Sequence, residues 1–293
     1  MSWHSARFRS CWSQPTGRRW PCSCRVRLVT WTDRRASLAR IGFLGTGEIA
    51  QILVETIAAD GHEIVVSKRS ETVSARLEKT YSNVRRADNQ QVVDDSDVVF
   101  VCLLADTARQ VLPELRFRDG QTVISVMARM TLAELSRLCA PARDIAIAIP
   151  LPPLPLGGTP LAVYPDNARL RDLFGKHAHI HPCASEEQIS AHFGATGLML
   201  PLLDQIDIAA TWLAGFTGDK RAAAAYVAGQ IRGYCNLLTA DDAPELSHLK
   251  TGLATEGGLN QTLSKALRDC GAHEALENGL DGLRTGLNLP AKS

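Results

Sequence analysis

The run Ile41-Gly42-Phe43-Leu44-Gly45-Thr46-Gly47-Glu48-Ile49-Ala50 holds the residues whose types and spacing can do chemistry. Small residues fall at Gly45, Gly47 and Ala50, the spacing G-x-G-x-x-A. Each has a mechanical use. Gly45 permits a tight turn, Gly47 lets a pyrophosphate approach the backbone, and Ala50 lets the next helix pack close to the preceding strand. That helix would direct free N–H groups and the positive end of its dipole at the phosphates. Gly45, Thr46, Gly47, Glu48 and Ile49 are therefore candidate ligands of a dinucleotide, and a dinucleotide points to redox chemistry.

The context supports the motif. Arg40-Ile41-Gly42-Phe43-Leu44 is short and largely apolar, as a strand buried on both faces should be. Ile49, Ile52, Leu53, Thr56 and Ile57 recur at helical spacing, and Gly61 in Asp60-Gly61-His62 is a helix stop. Glu63-Ile64-Val65-Val66-Ser67 reads as the second strand. An ordinary βαβ unit without a ligand is the competing reading.

The end of that second strand distinguishes two cofactors. A site for NAD(H) usually places Asp or Glu there to accept from the ribose 2′-hydroxyl. This chain has Ser67-Lys68-Arg69-Ser70 instead. Cations and hydroxyls suit a 2′-phosphate, so NADP(H) is favoured, with Ser67, Lys68, Arg69 and Ser70 as candidate ligands. A solvated basic turn is the other reading.

The elements that must position these residues alternate along the chain. Residues 72–81 read as a helix, Val98-Val99-Phe100-Val101-Cys102-Leu103-Leu104 as a buried strand, 106–115 as a helix, and Thr122-Val123-Ile124-Ser125-Val126-Met127 as a strand. Thr131 caps a helix carrying Leu132, Leu135 and Leu138, and 145–149 and 161–164 are further strands. The pattern predicts a Rossmann-type, doubly wound parallel sheet. Ligands on such sheets sit beyond the carboxyl ends of the strands. The loops 103–107, 125–130 and 150–159 should therefore border the nicotinamide, which adds Leu103, Leu104 and Ser125 to the cofactor candidates.

From about Ser185 the strand-like runs stop. Residues 189–213, 219–238, 260–267 and 272–287 read as helices. The expected organisation is a dinucleotide-binding domain over 40–184 and an all-helical domain over 185–293. The apolar, glycine-broken run Gly194-Ala195-Thr196-Gly197-Leu198-Met199-Leu200-Pro201-Leu202-Leu203 would make a dimer core if packed against a second copy, or would be buried within one chain.

The overall balance of +1 over 293 residues conceals an asymmetry. Residues 1–40 hold nine Arg, no Lys and one acid, Asp33, together with four of the five Trp and three of the eight Cys. The remainder has 23 basic against 30 acidic residues and no nucleic-acid footprint. The first 39 residues are expected to be a disordered or non-native extension. An organelle presequence or translation from too far upstream would produce it, and the tryptophan and cysteine load favours the second. Cys102, Cys139, Cys183, Cys235 and Cys270 are scattered and odd in number, which suggests reduced thiols in the cytoplasm. No apolar run approaches the roughly 18–20 residues that span a membrane. His177, His179 and His181 would share one face of a strand, and a solvated edge strand is favoured over a metal site.

At this point the order of motifs resembles the pyrroline-5-carboxylate reductase family over residues 40–287. Residues 41–50 are close to its opening IGFIGAGNMA. Residues 150–164 fit without gaps over its PNTPALVGEGATALY stretch. Thr255-Glu256-Gly257-Gly258-Leu259-Asn260 falls on its S-P-G-G-x-T signature. The resemblance implies a Rossmann domain followed by a helical dimerisation domain, a homodimer, NAD(P)H as hydride donor, and reduction of a cyclic imine carboxylate in proline biosynthesis. It implies Asn260 at the position whose hydroxyl bonds the imine nitrogen, and Glu256, Gly257, Gly258 and Leu259 around the substrate. Gly257-Gly258 at a helix start is also, on its own physics, a nest suited to a carboxylate or a plain interhelical turn. His248 is an acid candidate. Leu151-Pro152, Arg129 and Glu256 depart from the pattern, and Glu256 suits a cationic amine or iminium better than a carboxylate. The resulting expectation is an NADPH-dependent reductase of a small cyclic imine. The alternatives are a reductase of another carbonyl or imine, and a catalytically silent NADP-binding regulator.

Overall fold

Eight strands form one sheet in the order β3-β2-β1-β4-β5-β6-β7-β8. A computed structural model describes residues 38–292, which belong to a single compact unit. The expected N-terminal extension lies almost wholly outside the described residues. The strands are β1 (Arg40–Leu44), β2 (Glu63–Ser67), β3 (Val84–Ala87), β4 (Val98–Val101), β5 (Thr122–Ser125), β6 (Asp144–Ile149), β7 (Thr159–Tyr164) and β8 (Ala178–Pro182). Strands β1 and β2 have the bounds that the apolar runs predict. Every pairing is parallel except β6 with β7. That exception has a simple cause. Nine residues separate Ile149 from Thr159, too few for a parallel crossover, which needs a dozen or more.

The sequence reading missed β3, whose Val-Arg-Arg-Ala has no apolar run, and ended β4 and β5 too late. The residues before β4 form helix α3 (Asn89–Asp94), capped by Asp88. The other helices of this half are α1 (Glu48–Ile57), α2 (Glu71–Thr80), α4 (Ala105–Val111), α5 (Leu132–Leu138) and α6 (Ala168–Phe174). Thr131 caps α5 as expected, its hydroxyl accepting from Glu134 N at 3.1 Å.

The central strands are buried on both faces, and alternate residues build two cores. Ile41, Phe43, Ile64, Val66, Val98 and Phe100 pack toward α1 and α6, while Leu44, Val65, Val99 and Val101 pack toward α3, α4 and α5. Phe43 stacks on Phe100 at 5.0 Å, and Phe174 meets Phe100 edge-on at 5.8 Å. Truncating such a ring costs about 3–5 kcal/mol. Gly42 is needed inside β1 because a Cβ there would lie 2.5 Å from Ser96 Oγ.

The second half is all helix: α7 (Glu186–Thr196), α8 (Met199–Thr217), α9 (Lys220–Leu238), α10 (Leu246–Leu253), α11 (Leu259–Asp269) and α12 (Ala272–Gly282). The single helix expected over 189–213 is broken at Gly197, and α10 was not foreseen. Gly194 and Gly197 face Leu287 and Leu283 of the chain's own C-terminal turn, at 3.2 and 3.4 Å from an added Cβ. Beyond the break the apolar residues have no cover among the described residues: Trp212 is 69% and Phe216 76% exposed, and Leu200, Leu203 and Ile208 are exposed too. No helix among the described residues is long and apolar enough to cross a membrane.

At the end of the sheet opposite the expected ligand site, Asp60 ties the turn after α1 to the start of β8. Its carboxylate meets Lys176 Nζ at 2.6 Å and His177 Nε2 at 2.8 Å. His179 and His181 are exposed on the edge strand β8, and the described residues contain no cluster of three metal-ligating groups. Buried His62 accepts from Ala39 N through Nδ1.

Both groups make acid destabilising. Burial lowers the pKa of His62. The unfolded chain therefore takes up that proton first, from about pH 6.5 downward. Burial raises the pKa of Asp60, but the bonds from Lys176 and His177 outweigh it and the net shift is down. Its stabilisation is complete above the unfolded value near 3.9 and is lost as pH falls through the lower folded value. Urea unfolding should thus lose free energy in two steps, the first with His62 and the second with Asp60. His62→Asn keeps an acceptor without titrating and should flatten the first step. Parallel pH curves for the two proteins would remove His62 from the explanation.

Candidate functional site

The turn after β1 is fixed from three directions. Gly45 has φ +89°, and a Cβ on it would sit 2.5 Å from the carbonyl oxygen of Cys102. Only glycine meets both conditions. Gly45 N–H donates to Ser67 Oγ at 2.9 Å, and the Thr46 hydroxyl donates to the Ser67 carbonyl. Thr46 and Ser67 are fully enclosed, so the end of β2 is stapled to the turn by buried hydrogen bonds. Gly47 is different. It is the N-cap of α1, no side chain caps that helix, and a Cβ on Gly47 would meet nothing within 4 Å. The first N–H groups of α1 face open space. An uncapped helix start with room in front of it fits a pyrophosphate.

Two adjoining cavities lie over this turn. The smaller, ≈ 390 Å³, is bordered by Gly45, Thr46, Gly47, Arg69, Ser70 and Thr107 among others. The larger, ≈ 760 Å³, runs from Gly47, Glu48 and Ile49 past Cys102, Leu103 and Leu104 to Ala128 and Arg129. Leu104 is 81% exposed at their shared mouth. The structure therefore gathers Gly45, Thr46, Gly47, Glu48, Ile49, Arg69, Ser70, Leu103 and Leu104 around one space. Lys68 is exposed beside it and lines neither cavity. Ser67 and Ser125 have no free surface. The Ser67 hydroxyl holds the turn, and Ser125 Oγ accepts from Met127 N at 3.2 Å, which shapes the chain after β5. The loop 150–158 folds its turn Leu154–Leu156 against α1 and lines neither cavity.

Sequence reasoning missed the group that joins the cavity walls. Arg109 Nε and Nη2 bond Glu134 at 2.7 and 3.2 Å, Nη1 bonds Asp106 at 2.9 Å, and Nη2 also donates to the Arg129 carbonyl at 3.1 Å. It clamps α4, α5 and the loop after β5 together. The bond from Arg109 holds the Glu134 carboxyl below the usual carboxylate range. No local signal announces a pair 25 residues apart.

The expected substrate turn forms as a turn. Gly257 has φ +68°, and Gly258 is the N-cap of α11. Gly257 N–H donates to Gln261 Oε1 at 2.8 Å and Gly258 N–H to the Thr255 carbonyl at 2.9 Å. Glu256 and Asn260 are exposed, and Leu259 is 91% exposed. None of residues 256–260 lines either cavity, and His248 is likewise exposed. None of the five cysteines described is disulfide-bonded, and burial pushes the thiol of Cys139 up to about 12, which leaves it inert.

A parallel sheet whose glycine turn opens at the β1/β4 switch point, under an uncapped helix, defines a Rossmann-type NAD(P)-dependent oxidoreductase fold. Residues 40–129 match the family model described as NADP oxidoreductase coenzyme F420-dependent. The chain is similar to a pyrroline-5-carboxylate reductase of Corynebacterium melassecola, 27% identical over 128 residues, which cover 41% of this chain and 47% of that protein. The match thus spans about half the length of that curated relative. The fold is that of the pyrroline-5-carboxylate reductase of Streptococcus pyogenes (TM-score 0.72, 18% identity, 86% of this chain and 99% of that one). It is also that of the Plasmodium falciparum pyrroline carboxylate reductase solved with NADP bound (TM-score 0.70, 16% identity, 83% and 95%). The sequence is thus similar to these reductases over part of its length, and the two solved structures share its fold.

The two glycines separate fold from binding. Gly45→Ala should lose at least about 2 kcal/mol of stability, because strain and a steric clash act at once. Gly47→Ala should stay within about 0.5 kcal/mol of wild type, since its φ and its surroundings accept a methyl group. Chemical denaturation of both variants checks this; equal losses would mean that the space before Gly47 is not open.

Proposed function

We propose that the protein is an NADPH-dependent reductase that delivers hydride to the C=N bond of a small cyclic imine, working as a homodimer. One observation carries the reading: the start of α1 behind Gly47 is uncapped and open, and the charged residue that lines the adjoining cavity after β2 is Arg69 rather than a carboxylate. The α1 N–H groups and Thr46 would take the pyrophosphate. Arg69, Ser70 and Lys68 would take the 2′-phosphate, with Ser67 holding the turn from inside. The bound dinucleotide would supply the hydride. Leu103, Leu104 and the loop shaped by Ser125 would wall the reacting end and keep water out. A substrate reacting as its iminium is the better electrophile. Glu48, exposed in the larger cavity, would favour that cation.

Asn260, Glu256, Gly257, Gly258 and Leu259 complete the proposal from a second copy. Within one chain they border neither cavity, and the helices that carry them expose their apolar faces. A second copy covering those faces would bring the α11 start to the opposite cavity. Asn260 would then hydrogen-bond the imine nitrogen, as donor or acceptor.

Oxidation of NADPH with 1-pyrroline-5-carboxylate and a panel of cyclic imines, followed at 340 nm, tests the activity. Tight NADPH binding without turnover on any of them would favour the regulatory alternative. Lys68→Ala with Arg69→Ala should weaken NADPH at least tenfold more than NADH; equal losses would count against the phosphate clamp. Sedimentation of the full chain should give a dimer, and Trp212→Glu should shift it toward monomer.

A further inference from the structure

We propose that Arg129 is a specificity-determining residue that selects substrates bearing a carboxylate. The inference rests on the imine reductase reading and adds the subsite which that reading lacks.

Arg129 is held in an unusual way. Its φ is +65°, in the left-handed region, where the only other described non-glycine residue is Asn288. Asparagine tolerates that region and arginine does not favour it, so the surrounding structure must impose it. The imposition is visible. The Arg129 carbonyl accepts from Arg109, which Asp106 and Glu134 hold in turn. The Arg129 guanidinium lies flat against Gly286, with three of its atoms 3.3–3.6 Å from where a Cβ would be. A side chain at 286 would push it away. Backbone and guanidinium are both positioned, and strain concentrated at one pocket residue marks a functional constraint.

The charge so positioned is uncommitted. Among the described residues no carboxylate lies within ion-pair distance of Arg129, and its guanidinium donates no hydrogen bond. The other cation lining the larger cavity, Arg109, is spent on Asp106 and Glu134. Arg129 is thus the one free cation in that lining among the described residues. It also borders two further cavities, one of ≈ 300 Å³ with Ala128, Phe193, Gly194 and Gly286, and one of ≈ 470 Å³ shared with Glu186 and Glu187, neither of which reaches it as an ion pair.

The competing carboxylate receptor is largely closed. The N–H groups of Gly257 and Gly258 are already bonded to Gln261 and Thr255, and Glu256 stands beside them. A planar guanidinium binds a carboxylate through two parallel hydrogen bonds. With Arg129 taking the carboxylate and Glu48 facing the cationic nitrogen, the cavity fits a zwitterion.

The test uses the full chain and two ligands that differ only at the carboxyl group, L-proline and L-prolinamide. Calorimetric titration should show wild-type protein binding L-proline at least tenfold more tightly than the amide. Arg129→Gly should bring the two affinities within about twofold of each other by weakening L-proline. Glycine adopts φ +65° freely, so this variant should melt no lower than wild type, which separates loss of the subsite from loss of the fold. Discrimination that survives in Arg129→Gly overturns the proposal. So does a wild-type protein that does not distinguish the ligands or binds neither. This readout needs no turnover. A protein that binds L-proline through Arg129 yet reduces no imine would sink the reductase reading and leave the subsite standing.

Discussion

The approach of the Cys102 carbonyl to Gly45 is the constraint from which the rest of the structure follows. At this point β1 and β4 run side by side while the chains leaving them turn to opposite faces of the sheet. The two backbones come so close that a methyl group on Gly45 would fall 2.5 Å from a carbonyl oxygen. The closeness is held by ordinary means. Cys102 N–H donates to the Leu44 carbonyl at 2.8 Å, Gly45 N–H to Ser67 Oγ, and Thr46 to the Ser67 carbonyl. All of these groups lie in the interior, where an unmade hydrogen bond costs about 1–3 kcal/mol. Three strands are locked to one turn, and α1 can leave it in one direction only.

What that turn leaves unsatisfied is as informative as what it satisfies. Helices α3, α5, α6, α7 and α9 begin at Asp88, Thr131, Asn167, Ser185 and Asp219, and each of these side chains accepts from the helix it starts. Helices α1, α2 and α4 begin at Gly47, Ser70 and Leu104 and have no such bond. Those three starts border the two cavities. Within the sheet half the side-chain-capped starts lie away from the cavities and the uncapped ones border them, whereas in the helical half α8, α10, α11 and α12 also start without a side-chain cap. The same division governs charge. Arg109 is engaged in holding the walls, and Arg129, which those walls position, makes no ion pair among the described residues.

Legibility in the sequence follows the range of the forces involved. The strands Arg40–Leu44 and Glu63–Ser67 could be read to the residue, and the turn and helix between them in order, because burial on both faces, glycine geometry and helix periodicity are all local. The cap at Thr131 was legible for the same reason. Strand β3 was not: Val-Arg-Arg-Ala at a sheet edge carries charge on its open side and offers no periodic signal. The antiparallel β7 was hidden in a parallel reading, although the short loop before it was the clue. The break at Gly197 was missed since the residues on both sides are apolar; the glycines answer to Leu283 and Leu287, nearly a hundred residues on. At the site, Gly45 and Gly47 could be singled out but not the difference in their surroundings, one enclosed and one open. Ser67 could be placed at the end of β2, yet its commitment to the turn depends on a contact 22 residues away. Arg129 stood out as a departure from a family motif, and only the backbone reveals that it occupies a glycine's conformation.

The helical half poses a physical problem that the described residues alone do not solve. Helices α8 and α9 pack against each other, yet of their side chains only Ala210 and Ala223 are buried. Trp212, Phe216, Tyr226, Leu259 and Leu263 are all more than half exposed. So many uncovered large apolar side chains are unusual on a monomer, and burying them releases roughly 25 cal/mol for each Å² removed from water. The residues expected at the substrate, from Glu256 to Asn260, sit on this unfinished half, while the cavities belong to the sheet half. A second copy that covered the apolar faces would resolve both mismatches at once. The faces would gain their cover, and the start of α11 would gain a cavity to close. Stability and the completion of the site would then depend on the same association.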